Sequence, residues 1–258
     1  MFKQTLLDLE GKIRQGYVGD LHFDGITQKE FDSLYSKFSP ISRRARFLYD
    51  STNRALYVRM PGPRHEDIAQ QFKEIINGNL QATGIDRDAF WCSGSPPYTF
   101  GGITAEPDGC WGREPDVNPT VIMEVGNSQT SGQLLLDAGH WLENVHSSVQ
   151  LSILVKLNQN PDIIYISIWE LDHTRQLRTL RSGTTHRPAK LTQTAKITRG
   201  NPNHLVTINS PSAELRIPLA MFTGPSPPGV NIAGDLVISQ QDLFNLARRH
   251  FVARNGYV

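Results

Sequence analysis

The chain has 258 residues, 38% hydrophobic and 20% charged, and its 26 Lys and Arg against 25 Asp and Glu leave a formal net charge of +1. That balance excludes a histone-like polycation and an acidic disordered tail, and a chain of this length buries a core without help from disulfides or structural zinc. Only Cys92 and Cys110 are present, and they lack CxxC spacing, so neither a disulfide framework nor a cysteine zinc site is expected. No apolar run approaches the ~18 residues of a membrane span. The opening MFKQTLLDLEGKIRQG lacks the apolar centre of a signal peptide. The expectation is an intracellular protein, nuclear or cytoplasmic, not secreted.

The chain opens on two predicted helices. Leu6, Leu7, Leu9 and Ile13 mark the first. Thr27 with Glu30 forms a capping-box pattern for the second, where Phe31, Leu34, Tyr35 and Phe38 recur at helical spacing until Pro40. Arg46–Asp50 and Arg54–Arg59 read as a hairpin around Ser51-Thr52-Asn53. A helix should start at Pro63, with Ile68, Phe72, Ile75, Ile76 and Leu80 on one face and Gly84 beyond its end. Residues 90–112, rich in Gly, Pro and aromatics, predict short strands, and Thr120–Val125 predicts a compact apolar strand. A helix over 132–144 follows, with Leu134, Leu135, Ala138, Trp141 and Leu142 turned inward, then strands at Val149–Lys156 and Ile163–Leu171. Strand, crossover helix and strand make a βαβ unit, so part of the sheet should be parallel. From residue 173 the pattern is strand and turn, with a loop at Pro225, Pro227, Pro228 and Gly229, until a final helix near Ser239 with Asp242 in the capping-box position. By this pattern the chain divides into a helical extension (1–42), a core (43–172) and a strand-rich C-terminal extension (173–258).

Glu124 is the informative residue, a carboxylate embedded in Val121-Ile122-Met123-Glu124-Val125. In an extended strand Val121, Met123 and Val125 share one face, and Ile122, Glu124 and Gly126 the other. A carboxylate in a strand covered by helices is costly unless it is paired or holds a metal. Asp108, in Glu106-Pro107-Asp108-Gly109, lies one strand–turn–strand upstream, with fifteen residues between the two acids. Two carboxylates meeting at a sheet edge suit a hard divalent cation, Mg²⁺ or Mn²⁺, that retains waters. Lys156, at the end of the next strand, offers a charge for a phosphate oxygen or an attacking water. Glu66 is a further candidate carboxylate and His65 a candidate substrate contact. Asp116, in a second Glu-Pro-Asp, competes with Asp108 but has less room for a return strand before Asn118-Pro119.

The pieces RMPGPRHEDI, AEPDG, VIMEVGNSQTSGQLLLDAGHWLENV and QLSILVKL together resemble the restriction-endonuclease-like superfamily with the PD-(D/E)XK signature. A group of nuclease-like proteins abundant in fungi is the nearest likeness, through its E-V-G-x-S run, an Asp ahead of a Trp-Leu pair and a strand carrying Lys. The resemblance implies an α/β fold with an αβββαβ core and mixed central sheet, extended by N-terminal helices and by a C-terminal strand-rich segment with a final helix. It also implies metal-dependent cleavage of phosphodiester bonds, in DNA rather than RNA, by an enzyme that often dimerises. Asp108 and Glu124 would be the metal ligands. Gly126 departs from the family pattern by standing where the signature has its Lys, and Lys156 is the natural substitute.

Bland alternatives stand beside these readings. A structural ion pair or hydrogen-bond anchor is the alternative for Asp108 and Glu124, a solvated strand end for Lys156, and the helix dipole for Glu66. Gln133, Asp137 and His140 suit a polar helix face, and Ser128 or Ser131 a helix cap. Between His173 and Pro218 eight basic residues face one acid, Glu214. Arg175, Arg178 and Arg181 in this segment are candidate phosphate contacts, and a solvated face is the default reading. Besides the nuclease, two readings remain: a degenerate nuclease fold that binds nucleic acid or protein, and an enzyme acting on another phosphate ester.

Overall fold

The computed structural model describes residues 2–38, 45–85, 89–113, 116–127, 131–159, 162–179, 185–200, 205–210, 213–223 and 233–253. In chain order the elements begin α1 (Phe2–Arg14), β1 (Gly19–Phe23), α2 (Gln28–Phe38), β2 (Arg46–Asp50), β3 (Ala55–Met60) and α3 (Pro63–Ala82). Then come β4 (Phe90–Ser93), β5 (Tyr98–Phe100), β6 (Ile103–Ala105), β7 (Gly109–Arg113), β8 (Val121–Gly126), α4 (Ser131–Glu143), β9 (Leu151–Gln159) and β10 (Asp162–Leu171). The C-terminal part adds β11 (Arg178–Thr179), β12 (Thr185–His186), β13 (Ala189–Thr198), β14 (Leu205–Asn209), β15 (Leu215–Pro218), α5 (Ala220–Thr223), β16 (Asp235–Ile238) and α6 (Gln240–Ala253). No described helix is long and apolar enough to cross a membrane. Pro40, Ser128, Arg181 and the loop at Pro225–Gly229 lie outside the described residues, as do the side chains of Ser131, Gln133 and Asp137.

Contacts divide the chain into two compact units, 1–63 with 95–107, and 64–94 with 108–258. These bounds differ from divisions at 42 and 172, because the hairpin of β2 and β3 makes its sheet with β1, β5 and β6. The first unit is an antiparallel sheet in the order β1-β3-β2-β6-β5. Its core joins Leu9, Ile26, Phe31, Leu34 and Phe38 to Phe47, Tyr49, Leu56 and Val58. The expected capping box starts α2: Thr27 N and Oγ1 donate to Glu30 Oε2 at 2.8 and 2.7 Å. Strand β1 was not expected, since the sequence reading has only helices there; its five residues alternate between half-buried and exposed, too short a period-2 run to stand out.

The second unit carries a seven-stranded mixed sheet in the order β14-β13-β10-β9-β8-β7-β4. All its pairs are antiparallel except β8 with β9, which are parallel and joined by α4. Helix α3, three strands (β4, β7, β8), α4 and β9 supply the αβββαβ order. On one face Ile68, Phe72, Ile76 and Leu80 of α3 and Leu243, Leu246 and Ala247 of α6 bury Val121, Met123, Val125, Ile153 and Val155. Losing one such aromatic, as in Phe72→Ala, typically costs ~3–5 kcal/mol. On the other face Leu134 and Ala138 of α4 sit on Leu154, with Trp169 against them. Leu135, expected to face inward, is 42% exposed; the helical stripe reaches the sheet through Leu134, Ala138, Trp141 and Leu142. Ser239 and Asp242 close the expected capping box of α6.

Candidate active site

The site is built around the C-terminal end of β8. All six residues of the strand are buried, and their alternation turns Val121, Met123 and Val125 to α3 and Ile122, Glu124 and Gly126 to α4. The ladder between β7 and β8 stops at the pair Gly109–Met123, so beyond it Val125 has no strand partner on that side. Side chains take the place of the missing strand. Val125 N–H donates to Asp108 Oδ2 at 2.8 Å, and Val125 O lies 2.8 Å from His65 Nε2. The same imidazole nitrogen is 3.1 Å from Asp108 Oδ2. Both neighbours of Nε2 are acceptors, so this nitrogen carries the proton. Gly109 allows the close approach: a Cβ there would stand 3.1 Å from both Lys73 Cδ and Met123 Cε.

Continuing the register by one residue sets Asp108 opposite Glu124. Asp108 is 1% and Glu124 3% exposed. The two are held from different layers, Asp108 by β8 backbone and by His65 on α3, Glu124 by Trp141 on α4, whose Nε1–H donates to Glu124 Oε1 at 2.8 Å. Among the described residues no three His, Cys, Asp or Glu side chains gather as a metal cluster. Asp116, the competing acid, is exposed beyond the far end of β7.

Lys156 pairs with Gly126 across the parallel β8–β9 ladder. Its side chain therefore leaves the sheet on the face of Glu124, from a Cα about 8 Å away by strand geometry. Its Nζ donates to Asn127 O at 3.0 Å, and burial pushes its pKa below the ordinary lysine value. The glycine in the signature position and the lysine on the next strand are thus direct register neighbours. Glu66 stands on the first turn of α3, partly exposed, with Oε1 3.9 Å from His65 Nδ1.

The candidate substrate contacts are His65, Arg175, Arg178 and Arg181. His65, expected to meet substrate, is 2% exposed; its Nε2 faces Asp108 and Val125 O, while its buried Nδ1 has no hydrogen-bond partner. Arg175 is held 3.2 Å from Asp172 Oδ2, next to the start of β9 and about 17 Å along that strand from Lys156. Arg178 is exposed on the short β11, and Arg181 lies outside the described residues. The basic excess of 173–218 also loses its unity: Lys190 approaches Asp172, Arg199 meets Asp162, and Arg216 meets Glu214 and Asp235. Arg187 turns inward to Val149 O. Sequence reasoning treated Trp141 as core alone; its place in the Asp-x-x-x-Trp-Leu run of α4, one helix after Glu124, is the signal that it reaches back to that acid.

No family model matches the chain, and no curated protein matches it. A solved structure from Anabaena variabilis, described as a "putative nuclease belonging to DUF820", is similar over 86% of this chain and 98% of its own, with 17% identity and a TM-score of 0.46.

Proposed function

We propose that this protein is a Mg²⁺- or Mn²⁺-dependent nuclease that hydrolyses phosphodiester bonds, with DNA as its substrate class. The observation that supports this reading is the register of β8 and β9, in which Lys156 stands opposite Gly126 on the face of Glu124, while Asp108 occupies the adjoining edge. Two buried carboxylates fit a hard cation that keeps its waters and binds through one or two acids plus substrate phosphate. In this reading Asp108 and Glu124 hold the ion. Bound there, it would supply Lewis-acid charge to a phosphate oxygen.

The chain's own groups do the rest. Lys156 presents its ammonium to the charge that builds on the phosphate during attack. His65 fixes the Asp108 carboxylate by its Nε2 proton, and Trp141 fixes Glu124 by its indole N–H, so neither acid rotates away from the ion. Glu66, half-buried on the first turn of α3, would accept a proton from water in this reading.

One observation favours a second reading, a nuclease fold that binds without cutting: His65 already engages both Asp108 Oδ2 and Val125 O. Cleavage assays separate the two. Supercoiled and linear DNA are incubated with Mg²⁺, Mn²⁺ or EDTA and with wild type, Glu124→Gln and Lys156→Met. Divalent-dependent cleavage that falls at least about 100-fold in Glu124→Gln supports the nuclease. Cleavage equal in wild type and Glu124→Gln contradicts it, and DNA binding without cleavage under either ion favours the second reading. The likeness to nuclease-like proteins of fungi rests on the motif run alone.

A further inference from the structure

The row of the sheet that contains Lys156 continues past the site. Register partners place Gly126, Lys156, Tyr165, Lys196 and Thr207 side by side on five successive strands, β8, β9, β10, β13 and β14, all on the face toward α4. Helix α4 covers the rows closer to the start of β9, over Leu154 and Trp169; in this row Gly126 is buried and Lys156 half-buried, and exposure begins at Tyr165. Tyr165 is 38% exposed, and Lys196 and Thr207 are exposed. Lys196 Nζ lies 5.7 Å from the centre of the Tyr165 ring, the loose end of a cation–π contact.

Charge on this face is one-sided. Among the described residues at the α4-facing positions of β8, β9, β10, β13 and β14, Glu124 is the one carboxylate. The acids that neutralise the other basic residues, Asp162, Asp172 and Asp235, lie at strand ends or on other segments. The next row adds hydroxyl and amide groups at Thr194 and Asn209, which line a shallow surface hollow with Gln193 and Ser210. Two lysines two strands apart stand about 10 Å from each other, with a half-exposed aromatic ring between them.

We infer that this row is a track for a single nucleic-acid strand leading into the site, with Tyr165 stacking on a base and Lys156 and Lys196 holding the phosphates on either side. It rests on the nuclease reading for where the track begins. A half-exposed ring beside a lysine on a sheet face suits an unpaired base, whose π-face is available, better than a duplex, whose bases are already stacked. The paired cations, with Glu124 as the one acid among the described residues of this face, match a polyanion.

The test measures anisotropy of a fluorescein-labelled oligothymidylate over a salt series in EDTA, with wild type, Tyr165→Ala, Tyr165→Phe and Lys196→Gln. Thermal melts accompany each variant to establish folding. Tyr165→Ala should weaken binding roughly 5- to 100-fold and Tyr165→Phe should restore it. Lys196→Gln should weaken binding and reduce the slope of log K against log salt by about 0.7. Mn²⁺-dependent turnover of bis(4-nitrophenyl) phosphate, too small to span the row, should be unchanged in all three variants. Wild-type affinity and slope in Tyr165→Ala and Lys196→Gln would overturn the track, as would a duplex bound equally well and indifferent to Tyr165→Ala. Absent ester turnover with the oligonucleotide effects intact would leave the track standing and remove the catalytic reading instead.

Discussion

Glu106 and Asp108 are two residues apart in one Glu-Pro-Asp, yet they end in different units with different surroundings. Glu106 closes a network of neutral donors: Tyr35 O–H and Phe47 N–H each reach it at 2.8 Å. Burial pushes its pKa above the ordinary carboxylate range, and those two donors and the Arg46 charge pull only partly against it. Asp108 instead takes one backbone donor and a titratable ring, at a strand edge opposite a second buried acid. A half-buried acid alone is therefore a poor sign of chemistry, because a tyrosine, an amide and a nearby arginine satisfy this one. Asp108 differs in standing opposite a second buried acid where a ladder ends, with a lysine on the adjoining strand turned to the face of Glu124.

The sharpest way to break this contrast is to neutralise each acid in turn. Asp108→Asn should lower divalent-dependent DNA cleavage at least about 100-fold, whereas Glu106→Gln should leave the rate near wild type; steady-state cleavage rates compare them. His65→Ala comes next, with a loss of about 10- to 100-fold and of ~1–3 kcal/mol in stability from the unmet Val125 carbonyl and Asp108 carboxylate. Denaturant melts and cleavage rates read both, and His65→Gln, which keeps an N–H donor, should recover part of each. Trp141→Phe removes the indole donor from Glu124 while keeping an aromatic in the core. It should cost activity about 10-fold and stability ~1–3 kcal/mol.

The smallest effect concerns Glu106 and pH. Its folded pKa is raised, so between the unfolded and folded values the folded state holds a proton that the unfolded state has released. Stability should then fall as pH rises through that window, and be fully present below the unfolded value. Glu106→Gln lacks the titration, so it should gain on wild type from mildly acidic to neutral pH in thermal melts. A constant difference across that range would deny the burial of a charged Glu106.

Much of the fold is legible where local signals and tertiary packing agree. The capping boxes at Thr27 and Ser239, the helix opened by Pro63 and the βαβ unit around α4 all follow from short-range chemistry that the sheet then uses. Failures come where the signal is non-local. Strand β1 exists because β3 offers it an edge, which five residues cannot announce. Leu135 misled because one helical face was read a residue too wide. The basic run after His173 looked like a patch because its counter-ions, Asp162, Asp172 and Asp235, lie outside the counted segment or cross from another strand. At the site, alternation in β8 locates Glu124, but His65 carries no pattern that separates a substrate contact from an anchor. Only the vacant edge beside Val125 gives it that role. Tyr165 and Lys196 are thirty-one positions apart in the chain and become neighbours through strand register alone.

The most direct test of the central claim is calorimetric titration of Mn²⁺ into wild type, Asp108→Asn and Glu124→Gln, with folding checked by circular dichroism. The account predicts one site in the wild type that is lost or weakened at least about tenfold by either substitution, because both acids hold one ion. Wild-type Mn²⁺ affinity in both folded variants would contradict it.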